Sequence, residues 1–224
     1  MSDNNTSYSS CFDIIGPIMV GPSSSHTAGA INIGEAARKV FNDTPNVAII
    51  KYYESFAETH KGHGTDFAIV SGILGFDHDD ERVPYSVDIA TEEGIDIQFL
   101  EMEGDSPFDH PNTADITLSN DNHSARVAGV SVGGGKIELR KIEIFGFDID
   151  ITGFLPALLI VTDKNQTSDR FTQLFNDNNV VVTDVIQQTN DDQQLFYYEI
   201  QHFIPERIIK AIAEMEDVIF FSAI

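Results

Sequence analysis

Two stretches within the first seventy residues combine the side chains needed for acid–base work on a small polar molecule. Gly21-Pro22-Ser23-Ser24-Ser25-His26-Thr27-Ala28-Gly29 sets hydroxyls and an imidazole ahead of an amphipathic run. His60-Lys61-Gly62-His63-Gly64-Thr65-Asp66 sets two imidazoles among glycines ahead of another. A helix start presents unpaired N–H groups and the positive end of the helix dipole, which together favour an anion. Imidazoles titrate near neutral pH and suit proton transfer. Ser24, Ser25, His26, Thr27, His60, His63, Thr65 and Asp66 are therefore the candidate catalytic residues, expected around a small carboxylate-bearing substrate. The His-x-x-His spacing would suit zinc on a helix, but the glycines point to a loop and no third ligand is obvious, so no metal site is expected. A third group, His110-Pro111-Asn112-Thr113, holds an imidazole and an amide on either side of a rigid proline. His110 and Asn112 are candidates for a second, regulatory ligand site, with an ordinary turn as the alternative. His78, His123 and His202 belong to no pattern and read as surface or core residues.

The elements that must position these groups follow from hydrophobic spacing. Ala30, Ile33, Ala37, Val40 and Phe41 mark a helix after the first motif, ended by Asn42 to Asn46. Val47–Phe56 reads as a strand, the second motif as a loop, and Asp66–Phe76 as a helix capped by Thr65 or Asp66. Residues 95–103, 110–119, 124–132 and 136–145 alternate at about ten-residue spacing and predict an antiparallel sheet, with Gly133-Gly134-Gly135 as a hairpin turn. From Gly153 on, a strand (155–162), a helix (167–176), two strands (180–188 and 194–201), a helix with Pro205 in its first turn (205–215) and a strand (218–223) give the order β-α-β-β-α-β. The fold class expected is α+β: an N-terminal lobe of helices on a mainly antiparallel sheet, residues 1–150, then a ferredoxin-like unit, residues 151–224.

Composition narrows the function classes. The 224 residues carry a formal net charge of −23, which excludes a basic nucleic-acid-binding face. No apolar run approaches a membrane span and the N-terminus lacks the pattern of a signal peptide, so a cytoplasmic protein is expected. The one cysteine, Cys11, can form no disulfide within the chain and cannot alone hold an iron–sulfur cluster.

The C-terminal order resembles the ACT domain, a module that binds amino acids, although the segment Asp163 to Asp169 lacks the glycine usual at its ligand site. A structural or dimerising role is the alternative. The three motifs, in order over residues 11–224, resemble the beta part of the bacterial iron–sulfur L-serine dehydratases in their two-subunit form. That resemblance implies conversion of L-serine to pyruvate and ammonia. It further implies a 4Fe-4S cluster held by the cysteines of a separate alpha chain, acting as a Lewis acid on the serine hydroxyl. A base removes the α-proton and the aminoacrylate product hydrolyses. The implied partners are the alpha subunit and L-serine, with homodimerisation through either lobe; no nucleic acid or membrane is implied. The alternative is a non-catalytic sensor of amino acids or anions.

Overall fold

Helix α1 (Gly29–Phe41) forms where the Ala/Ile/Val spacing places one apolar face, with Ile33, Ala37, Val40 and Phe41 fully or almost fully buried. It ends at Asn42, which takes the left-handed conformation at φ 53° and returns its N–H to the Arg38 carbonyl. The computed structural model describes residues 19–224 apart from 22, 165–167 and 203. Cys11, the apolar lead-in at 11–15 and the expected helix start at Thr167 lie outside the described residues.

Strand β1 (Val47–Tyr53) is the hub of a six-stranded sheet. Its partners are β2 (Asp96–Glu101), parallel, and β3 (Thr113–Ser119), antiparallel. β4 (Ser124–Gly133), β5 (Lys136–Ile144) and β6 (Phe147–Phe154) continue antiparallel, giving the order β2-β1-β3-β4-β5-β6. The triple glycine is the β4–β5 turn, with φ of 101°, 63° and 83°. The parallel β1–β2 pair requires a crossover, and α2 (Glu54–His63), α3 (Thr65–Leu74) and α4 (Ser86–Glu92) supply it. α1 lies on the sheet and α3 lies on α1. Their approach is set by two glycines: a Cβ on Gly34 would stand 2.2 Å from the Ile69 carbonyl oxygen, and one on Gly72 would stand 2.1 Å from that of Ile31.

The second sheet has the order β10-β7-β9-β8, all antiparallel, from β7 (Ala157–Asp163), β8 (Val182–Thr189), β9 (Gln193–Ile200) and β10 (Val218–Ala223). Helices α5 (Asp169–Asp177) and α6 (Glu206–Ala213) complete the split βαβ order. Phe171, Phe175, Ile208 and Ile212 cover Leu158, Ile160, Phe196 and Tyr198 on one face. The opposite residues, Leu159, Val161, Leu195 and Tyr197, join the core of the first sheet. Burial on both faces is why the 155–162 run is continuously apolar.

Several expected boundaries move. The run 47–56 leaves the sheet at Tyr53, because Glu54 turns to φ 43° and begins α2. The second motif is a helix–helix junction, not a loop: α2 runs through His63, Gly64 at φ 74° is the only residue between, and α3 starts at Thr65. Neither Thr65 nor Asp66 caps α3; its N-cap is Gly64. Helix α4 and strand β6 were not foreseen. α5 begins at Asp169, and Pro205 is the N-cap of α6, outside its first turn.

Candidate active site

Ser23 closes the approach to the first motif: its side chain accepts from the His26 N–H at 3.3 Å and its carbonyl from the Thr27 N–H at 2.8 Å. Ser24–Ala28 then make one π-helical turn that runs straight into α1. The expected loop is thus helical, and its N–H groups are partly satisfied by Ser23 itself. Wide turns of this kind occur within helices and displace the side chains they carry.

His26 is the centre of what the turn presents. Its Nδ1 lies 3.0 Å from Ser25 Oγ and 3.3 Å from Ser23 Oγ, and its Nε2 lies 3.2 Å from Ser55 Oγ. The ring meets Phe56 edge-on at 5.2 Å and His63 at 4.9 Å, almost perpendicular. Burial, and then the charge of His63, hold the His26 pKa below the ordinary imidazole value. His63 itself is exposed, on the last turn of α2. The two motifs, 34 residues apart at their first histidines, thus converge on one imidazole pair.

His60 is differently placed. It is 2% exposed and tilted against Tyr52, with ring centroids 4.8 Å apart. Nδ1 faces Asp66 Oδ1 at 2.6 Å and Nε2 faces Glu101 Oε1 at 2.9 Å, so neither ring nitrogen is free. Glu101 also takes Lys61 Nζ at 2.8 Å; that bond first, and His60 second, lower its carboxyl to about 2. Asp66 and burial together hold the Tyr52 phenol well above its usual value, burial being the larger cause. His60 and Asp66 brace the α2–α3 junction and fix where His63 stands.

Ser24 lies on the π-turn, half-buried. Thr27 and Thr65 are fully buried, and their hydroxyls find no hydrogen-bond partner among the described residues; the same holds for Ser131 Oγ on β4, next to Gly29. His-x-x-His does lie on a helix, against expectation. Among the described residues no group of three His, Cys, Asp or Glu side chains is disposed to hold a metal ion.

The His110-Pro111-Asn112 turn leads into β3. His110 Nδ1 accepts the Asn112 N–H at 3.1 Å, and Asn112 pairs with Ser131 through backbone and side chain. The Pro111 carbonyl accepts the Phe56 N–H at 3.3 Å, which places this turn beside the start of α2. Burial, then Arg140, lowers the His110 pKa. Of the unpatterned histidines, His123 donates through Nε2 to the Phe41 carbonyl and stacks on Phe41, a core role.

Sequence reasoning missed Ser55 and Glu54. Ser55 meets His26 across 29 residues, and the Glu54 carboxylate accepts the Ser106 N–H at 2.8 Å, pinning the loop that carries His110. The only local signal was a polar pair closing a strand.

The α+β fold thus gathers two imidazoles and several serines where β1 passes into α2. The family model described as serine dehydratase beta chain matches residues 10–124. A probable L-serine dehydratase beta chain of Bacillus subtilis (strain 168) is 51% identical over 154 residues, 69% of this chain and 68% of that one. An L-serine dehydratase beta chain of Peptoniphilus asaccharolyticus is 41% identical over 152 residues, 67% of each. L-serine dehydratase 2 of Escherichia coli (strain K12) is 40% identical over 86 residues, 17% of its length. The chain belongs to the serine dehydratase beta-chain family.

Proposed function

We propose that this chain is the beta subunit of a two-subunit L-serine ammonia-lyase, which converts L-serine to pyruvate and ammonia with a separate alpha chain. The observation that carries the reading is the meeting of His26 and His63, from two distant motifs, at 4.9 Å. The family membership and the two beta-chain relatives support it and favour it over a free-standing sensor. In this reading the exposed His63 and the His26 behind it move the substrate's α-proton, while Ser24 and Ser25 bind its polar groups.

An iron–sulfur cluster does not fit this chain's own side chains: the sequence has one cysteine, where a cluster needs three or four thiolates. We assign the 4Fe-4S cluster to the alpha partner. No helix among the described residues is long and apolar enough to cross a membrane, and the proposed setting is the cytoplasm. We divide the chain into a catalytic-partner lobe, residues 1–150, and an ACT-type unit, residues 151–224, regulatory or dimerising; strand β6 carries the first sheet across that boundary to Phe154. His110 and Asn112 form a ligand site that modulates the first one, their turn being tied to Phe56.

Co-expression with a cysteine-rich alpha chain under anaerobic conditions, followed by a serine-to-pyruvate assay, tests this. Turnover is expected from the pair and none from this chain alone. A brown, cluster-loaded preparation of this chain by itself, or an inactive pair with its cluster intact, would refute it.

A further inference from the structure

Ser55 stands in none of the sequence motifs, yet its hydroxyl lies 3.2 Å from His26 Nε2, the edge of that ring opposite Ser25. A neutral imidazole has one donor nitrogen and one acceptor nitrogen. Hydroxyls can play either part, so Ser25 and Ser55 serve either tautomer, one donating while the other accepts, and what their two contacts fix is the ring plane held between them. Burial and His63 both disfavour charge on this ring, which makes the neutral form the relevant one near neutral pH.

Ser55 is itself held in place from several directions. It follows Glu54, whose φ of 43° is uncommon for a residue with a side chain. That turn swings the chain from β1 straight into α2 and aims Ser55 back at the π-turn. Three bonds secure it: Glu54 Oε1 accepts the Ser106 N–H at 2.8 Å, the Pro111 carbonyl accepts the Phe56 N–H at 3.3 Å, and Thr59 Oγ1 donates to the Ser55 carbonyl at 2.5 Å. An unusual backbone conformation kept by surrounding bonds is a reason to look for a role. The same two loop contacts tie Ser55 to the segment that carries His110.

We propose that Ser55 is a positioning residue of the substrate site, its hydroxyl fixing the orientation of the His26 ring. This rests on the reading of His26 as a member of that site.

The test pairs a spectroscopic readout with kinetics. Long-range proton–nitrogen NMR of the isolated full chain reports the His26 ring nitrogens; Ser55→Ala is compared with the native chain and with Ser55→Thr. Ser55→Ala, which leaves Nε2 without its hydroxyl partner, should change the ring's nitrogen shifts, and Ser55→Thr should keep the native pattern. In the assembled enzyme Ser55→Ala should lower kcat about tenfold, the scale of one hydrogen bond lost in the transition state, with KM for serine within about twofold. Ser55→Thr should recover most of that loss. Ser55→Cys keeps the volume with a weaker donor and serves if the alanine variant fails to fold. Identical His26 nitrogen shifts in Ser55→Ala and the native chain overturn the proposal, whatever the turnover. So do changed His26 nitrogen shifts with native kcat, provided His26→Ala abolishes turnover. If His26→Ala leaves turnover intact, the substrate-site reading falls, and the NMR result alone decides whether Ser55 positions the ring.

Discussion

Replacing His60 with alanine separates a brace from an acid–base group. The imidazole is 2% exposed, bonded through one nitrogen to Asp66 at 2.6 Å and through the other to Glu101 at 2.9 Å, and packed against Tyr52. Its removal opens a cavity and takes the ring nitrogens away from two carboxylates. The Asp66 side chain is 22% exposed and Glu101 is 53% exposed and keeps Lys61, so both recover hydration and soften the electrostatic loss. What remains is mainly the cavity and the lost bond to Asp66, about 2–3 kcal/mol. For a chain of this size that corresponds to a fall in Tm of about 5–10 °C. Urea unfolding of the isolated chain, followed by circular dichroism, reads it as a lower midpoint with unchanged slope. In the assembled enzyme below its melting range, kcat should stay within a few-fold of native. A midpoint unmoved, by less than about 0.5 kcal/mol, together with a kcat collapse of ~10²-fold would refute the bracing role and return His60 to proton transfer.

Two further outcomes follow from particular contacts. Gly34→Ala drives a methyl onto the Ile69 carbonyl, 2.2 Å away, and should destabilise the chain by about 1–3 kcal/mol, visible in the same urea experiment; an unchanged midpoint would contradict the close α1–α3 crossing. His63→Gln removes the second cause of the depressed His26 pKa and should raise that pKa toward the ordinary value without reaching it, since burial, the larger cause, persists. The sign carries over to stability. A histidine whose folded pKa is depressed contributes stability present above its unfolded value, near 6.5, and lost as pH falls through the folded one. His63→Gln should make that acid loss smaller, its onset near 6.5 unchanged and its lower limit raised toward it; NMR titration showing no movement of His26 would deny the imidazole coupling.

The sequence is most transparent where one demand acts alone. β10 matches its expected span, Val218–Ala223, a short β-rich run set off from α6 by the acidic stretch Glu214-Met215-Glu216-Asp217. The 155–162 run was legible as a strand, although burial on both faces erased its alternation. Gly62 misled because glycine usually marks a loop; here it is the last residue but one of α2, with open space around it, and costs only about 1 kcal/mol of helix propensity. Glu54 carries no local sign of a positive φ, since the bond that holds it comes from Ser106, 52 residues away. The site was legible in residue type but not in partition: His26 and His63 meet, His60 is enclosed, and Ser55 enters only through the fold.

The most direct measurement is steady-state turnover of L-serine by the assembled alpha–beta enzyme carrying His63→Ala or His26→Ala, with complex formation checked by size-exclusion chromatography. The imidazole pair as proton carrier predicts a loss in kcat of ~10²-fold or more in each variant while the complex still forms. Near-native turnover in both would contradict it.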